Sequence, residues 1–317
     1  MDRSVVFMFS GQGSQYYGMG KELYMSNPVF RTWMTRLDEI HMDITGSSVL
    51  KTLYDDTRRR GEEFDTLLYT HPAIFMVEYA LTQVLLEKGI YPDYVLGSSL
   101  GESVSVAVAD CMSYEDTLQC IIKQAQLVEA YCPKGGMMAV IGNPSLYDEA
   151  PILNTNSELA SINFDSHFVI SGSCEGLSEI EHYLKVNEII CQRLPVHYAF
   201  HASLMDPIAL EYTEFLKLMT LSSPKLNMVS SMYGGKTTWL ENHFLWDVTR
   251  KPMQFQSALK CLGDSDGVVY IDLGPSGTLA NFVKYNFGPK KKASVCSILS
   301  PFQQDIKNLD RLFEIFD

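Results

Sequence analysis

Apolar positions along this chain switch between short continuous runs and stretches at helical spacing, and the switching predicts a layered α/β fold. Residues 5–9, Val-Val-Phe-Met-Phe, form an unbroken strand-like run. The glycine-punctuated turn Gly11-Gln12-Gly13-Ser14-Gln15 follows, and helical spacing resumes towards Met19 and Leu23. Apolar residues recur at helical spacing over 72–88, and Gly89 supplies the stop. A strand at 94–96 turns sharply at Gly97 into a small-residue helix over 100–108, and a second helix is predicted over 114–129. Strands that alternate with helices imply a mostly parallel sheet covered on both faces.

From Gly135 the rhythm changes. Short strands are predicted at 137–141, 159–163, 167–171 and 189–194, with a weak helical piece near 145–150 and a helix over 177–187. That order, β-α-β-β-α-β, is the ferredoxin-like one. The α/β alternation then returns: a helix from about Ala202, a strand at 228–231, a helix near 253–262, a strand at 268–272, and helices after Pro275 and Phe302. The expected organisation is a large subdomain made of 1–132 and 199–317, with a small α+β subdomain, 133–198, inserted into it. There is no internal repeat and no low-complexity stretch.

Composition narrows the function classes. With 46% hydrophobic and 20% charged residues over 317 positions, the chain can bury a large core. No apolar run approaches the roughly 20 residues of a membrane helix. The first residues go straight into a strand without the zones of a signal peptide, so a cytoplasmic location is expected. A formal net charge of −13 repels nucleic acid and anionic membranes, and neither is expected as a partner. Seven scattered cysteines contain no C-x-x-C pair, so they read as free thiols and no metal is expected. An acidic protein partner would need a local basic patch; the candidates are Lys290-Lys291-Lys292, Arg58-Arg59-Arg60 and Arg250-Lys251.

Candidate chemistry sits at Gly97-Ser98-Ser99-Leu100-Gly101, a G-x-S-x-G pentad between a predicted strand and a predicted helix. The letters alone are weakly specific; the placement gives them meaning. Glycines permit a strained turn that lifts Ser99 out of the sheet, and the helix behind it aims its N-terminal dipole at the reaction. The Leu100 N–H is then a natural oxyanion donor. A serine nucleophile needs a base, and seven histidines are available: His41, His71, His167, His182, His197, His201 and His243. Spacing does not choose among them. His182 reads as a surface residue, whereas His197 and His201 lie where the small subdomain would rejoin the sheet.

Phe9-Ser10-Gly11-Gln12-Gly13-Ser14-Gln15, Gly97 to Glu102, Tyr198-Ala199-Phe200-His201 and Ile271-Asp272-Leu273-Gly274-Pro275 occur in an order and spacing that resembles malonyl-CoA:acyl carrier protein transacylases and polyketide synthase acyltransferases. The match covers nearly the whole chain. The resemblance implies an α/β-hydrolase-like core with a ferredoxin-like insert. It also implies Ser99 as nucleophile and His201 as base, with the backbone N–H groups of Gln12 and Leu100 as oxyanion hole. In that family a main-chain carbonyl in a later loop, here near Arg250 or Lys251, orients the histidine, and no third carboxylate is required. Gln124, Phe200 and Asn163 are the expected substrate-binding residues. The substrate rides on the phosphopantetheine arm of an acyl carrier protein, and the enzyme itself needs no cofactor.

Two departures bear on function. The residue before the nucleophile, usually histidine in the family, is Ser98. The arginine that pairs with the malonate carboxylate, 25 positions after the serine, is Gln124. An uncharged amide cannot make the charge-assisted two-point contact of a guanidinium, so malonyl binding should fall at least about ten- to a hundredfold. In that respect the chain resembles the stand-alone acyl hydrolases of trans-acyltransferase polyketide pathways, which implies clearance of short acyl chains from carrier domains of the synthase. The alternatives are a transferase that loads malonyl or another acyl group, and a non-catalytic scaffold that binds carrier domains. Because the base must be neutral, activity is expected to fall below the histidine pKa, and a rate flat to pH 5 would count against His201.

Overall fold

A computed structural model describes residues 3–316. Its ten strands are β1 (Ser4–Phe9), β2 (Tyr94–Gly97), β3 (Gly136–Ile141), β4 (Glu158–Phe164), β5 (His167–Gly172), β6 (Cys191–Arg193), β7 (Asn227–Ser230), β8 (Gly235–Thr237), β9 (Val268–Asp272) and β10 (Ser294–Ser297). They form two sheets. The larger has the order β10-β9-β1-β2-β7-β8, parallel throughout except for β8. β1 lies inside it, and its alternate residues serve different cores: Phe7 and Phe9 face one, Val6 and Met8 the other. A strand buried on both faces has no polar side to show, which is why 5–9 reads as a continuous apolar run.

The smaller sheet has the order β4-β5-β3-β6 and is antiparallel. The helix Cys174–Val186 and two short helical pieces, Leu146–Glu149 and Pro151–Asn156, cover one face of it around Phe168, Ile170 and Leu177. The other face carries Ala139, Ala160 and Val169 and turns towards the large subdomain. The strands that leave the main rhythm of the chain therefore span 136–193.

The structure departs from the sequence reading in several elements. The helix expected from 72 begins earlier, as Leu67–Glu87, and holds Pro72 inside it. Proline lacks the N–H that would bond the Leu68 carbonyl, and His41 Nε2, 2.9 Å away, takes that carbonyl instead. His41 belongs to the helix Pro28–Thr45, which the apolar pattern did not single out. Its start was written in the sequence all the same: the Asn27 side chain accepts from the N–H groups of Val29 and Phe30, and Pro28 takes the first helical position. The helix expected from Ala202 is a 3₁₀ turn, Ser203–Ile208, that continues as Ala209–Leu216. Strands β8 and β10 and the helix Phe244–Arg250 were too short for periodicity to reveal.

Candidate active site

The turn from β2 into the helix Gly101–Val108 is built by contacts only glycine can make. A Cβ on Gly101 would lie 2.1 Å from the Phe9 carbonyl oxygen, and one on Gly97 would lie 2.5 Å from Glu102 backbone. Gly11 is equally constrained, because a Cβ there would meet Ser99 Cβ at 2.8 Å. These close approaches press the Gly11 loop against the turn, and Ser99 itself is held at φ 55. Left-handed backbone is costly for a non-glycine residue and persists only where its surroundings over-determine it.

Glu102 fixes the far side. Its buried carboxylate accepts from the hydroxyls of Ser230 and Ser231 and from the Met232 N–H, tying the nucleophile helix to the end of β7. Burial raises its pKa to about 7, against the opposing pull of those donors.

Ser99 Oγ lies 2.9 Å from His201 Nε2. On the other side of the ring, Nδ1 is 2.9 Å from the Lys251 carbonyl oxygen. A carbonyl only accepts, so the proton sits on Nδ1, and Nε2 is left to accept from the serine hydroxyl. No carboxylate completes a triad among the described residues. His201 is 3% exposed, and burial lowers its pKa to about 4, with the Lys251 hydrogen bond opposing. The neutral base therefore persists well below the ordinary histidine range. This corrects the expected pH behaviour: a rate flat to pH 5 agrees with His201 as base in this environment.

Gln12 and Leu100 line the same cavity as Ser99, and among the described residues neither backbone N–H donates a hydrogen bond within the chain. That cavity, of about 300 Å³, opens over Ser99 between the two subdomains. Gln124, Phe200 and Asn163, expected from the sequence, all line it. Gln124 Nε2 donates to Thr249 Oγ1, whose own hydroxyl proton goes to the Leu245 carbonyl, so the amide is locked in one orientation. Asn163 bonds Ser161 and His167, and the Phe200 ring packs against His71, centroids 5.4 Å apart. Ser98 also faces the cavity. No arginine or lysine lines it among the described residues. Arg250, near in sequence to the His201 partner, is engaged with Asp206 and Glu158, and Lys251 with Asp247.

The remaining histidines take other places. His182 is exposed, His197 pairs at the surface with Glu63 and Asp65, and His243 sits beside Asp247. Thr249 and His71 were not foreseen as site residues. The first sits on a helix too short to predict, and the second was one undistinguished histidine among seven.

The acyl transferase domain family matches residues 6–316. The chain is 47% identical over 310 residues to the polyketide biosynthesis acyltransferase homolog PksD of Bacillus subtilis, covering 98% of this chain and 96% of the relative. It is 44% identical over 312 residues to the homolog BaeD of Bacillus velezensis, with 98% and 96% covered. Among solved structures, the acyltransferase domain from the second module of the salinomycin polyketide synthase superposes with a TM-score of 0.88 at 27% identity, over 98% of this chain and 73% of that one. A family match over nearly the full length, with a serine–histidine pair at the mouth of a cavity between two subdomains, places this chain in the acyl transferase domain family.

Proposed function

We propose that this protein hydrolyses acyl groups from acyl carrier protein thioesters through a covalent intermediate on Ser99, and that it clears short acyl chains from the carriers of a polyketide synthase. The carrying observation is the cavity itself. It holds a serine–histidine pair, while the position suited to a carboxylate-binding guanidinium is a neutral glutamine locked onto Thr249. No arginine or lysine among the described residues lines the cavity to supply the missing charge. A desolvated malonyl carboxylate would face only neutral groups, which penalises it relative to a neutral acyl chain.

In this mechanism the Ser99 hydroxyl attacks the thioester carbon while His201 Nε2 takes its proton. The Lys251 carbonyl, accepting from Nδ1–H, stabilises the imidazolium. The oxyanion lies between the N–H groups of Gln12 and Leu100. Collapse breaks the C–S bond, and His201 returns the proton to sulfur, releasing the phosphopantetheine thiol. A water molecule then attacks the acyl–Ser99 ester as His201 takes its proton. The carboxylic acid leaves and Ser99 is reprotonated. The second reading, transfer to a carrier, differs only in that a thiol replaces water in this last step, and the names of the two Bacillus relatives favour it.

One experiment separates them. A carrier protein is loaded separately with acetyl and malonyl groups, and its mass is followed with the enzyme or its Ser99→Ala variant. Fast loss of acetyl to the free thiol, slow loss of malonyl and no loss with the variant support hydrolysis. Retained acetyl, together with Ser99-dependent malonyl transfer from malonyl-CoA to an empty carrier, would overturn it.

A further inference from the structure

The loop that carries Gln12 has no regular structure of its own, yet its N–H must hold a fixed place for an oxyanion. It is strapped to the helix Leu67–Glu87 at two points. Glu78 Oε1 accepts from the Ser10 N–H at 2.7 Å and from the Ser10 hydroxyl at 2.8 Å. His71 Nε2 lies 3.0 Å from Gln12 Oε1. His71 and Glu78 are seven residues apart, two helical turns, so both sit on the face turned to the loop.

An amide oxygen only accepts, so His71 Nε2 is the donor. His71 Nδ1 and Gln12 Nε2 have no hydrogen-bond partner among the described residues, and the Nε2–Oε1 bond is the direct polar link between His71 and the Gln12 loop. Burial lowers the His71 pKa to about 4, with the nearby Gln124 amide partly offsetting it, so the ring stays neutral and adds no cation to the cavity. A buried histidine and a half-buried glutamine, each with an unmet nitrogen, add little stability to the wall of the cavity, where an apolar pair would serve better. Their arrangement suits placement of the Gln12 backbone.

We infer that His71 is a positioning residue, which holds the Gln12 side chain so that the Gln12 N–H points at the oxyanion formed on attack by Ser99. This rests on the acyl-enzyme step of the proposed function, and not on whether water or a thiol completes the reaction.

The test is a double-mutant cycle read as the rate of acyl–Ser99 formation by intact mass, with acetyl and butyryl thioesters, on the full chain. His71→Leu should lower the acylation rate at saturation about ten- to a hundredfold for both acyl groups, with KM nearly unchanged and no loss of melting temperature. Gln12→Ala should do the same, and the double variant should be no worse than either single one. His71→Gln, which keeps a donor, should recover much of the rate. Losses that multiply in the double variant, a loss confined to one acyl group, or a rate that falls only with melting temperature would each overturn the assignment. If the unaltered protein forms no acyl–Ser99 at all, the proposed function fails instead, a result distinct from any of these.

Discussion

Ser99 and His201 both occupy left-handed backbone, at φ 55 and φ 63, and their side chains meet at 2.9 Å. Two non-glycine residues, 102 positions apart, thus each adopt an unfavourable conformation at the point of contact. The His201 N–H is fixed by the Thr249 carbonyl at 2.9 Å, and Ser99 by the glycine contacts around its turn. The strain is stored where the geometry of the pair is set.

Removing the serine side chain should therefore reveal that strain. Ser99→Ala and Ser99→Gly should both abolish acyl-enzyme formation. The glycine variant should unfold at or above the temperature of the alanine variant, because relief of about 1 kcal/mol of left-handed strain offsets the usual entropic cost of glycine. Thermal denaturation of the two checks this, and a glycine variant melting several degrees lower would remove strain from the account.

The acid limb of the pH profile follows from burial. A histidine whose pKa is depressed stays neutral, and so able to accept the serine proton, to lower pH than an exposed one. With His201 at about 4, kcat/KM for acylation should hold a plateau down to about pH 5 and fall below it. An inflection near the ordinary histidine value would mean that the cleft is wetter than its burial indicates.

Gln124→Arg should restore a carboxylate partner. Malonyl–Ser99 formation is expected to rise about ten- to a hundredfold, and acetyl–Ser99 formation to drop, since a neutral chain would then face a desolvated guanidinium. Competition between the two thioesters, read by mass on Ser99, measures the switch. An unchanged acetyl-to-malonyl ratio would show that Gln124 does not set acyl preference.

Gly101→Ala should be among the most damaging single-methyl additions. Its Cβ would collide with the carbonyl of Phe9, the last residue of β1, which is already held by the Ser98 N–H at 2.9 Å and has little room to yield. A loss above about 4 kcal/mol, or failure to fold, is expected. Gly61→Ala, with nothing within 4 Å, is the control and should change stability by less than about 1 kcal/mol. Similar melting temperatures for the two variants would contradict the close packing of the turn.

The site was legible where chemistry is local. The pentad around Ser99 must lie between a strand and a helix to work, and both neighbours announce themselves, β2 by its apolar run and the following helix by its small residues. Spacing alone left seven histidines open, and His201 was picked out only by a family motif. No local rule could show that His71 would face Gln12 or that Thr249 would lock Gln124, since these pairs are 59 and 125 residues apart. Short elements such as β8 and the helix Phe244–Arg250 were hidden for a related reason: three to seven residues hold too few periods for a pattern to stand out from composition.

The alternation of strands and helices, the break in rhythm that marks the small sheet, the glycines that force the nucleophile turn and the missing arginine at position 124 are all legible along the chain. Those are properties of neighbouring residues, set by backbone sterics and by the period of side-chain burial. The fold then fixed that Lys251, rather than Arg250, supplies the carbonyl that sets the His201 tautomer, how far burial depresses the His201 pKa, and that no distant cation among the described residues enters the cavity. Each of these depends on groups brought together across the fold, where distance and desolvation, not order along the chain, set the energy.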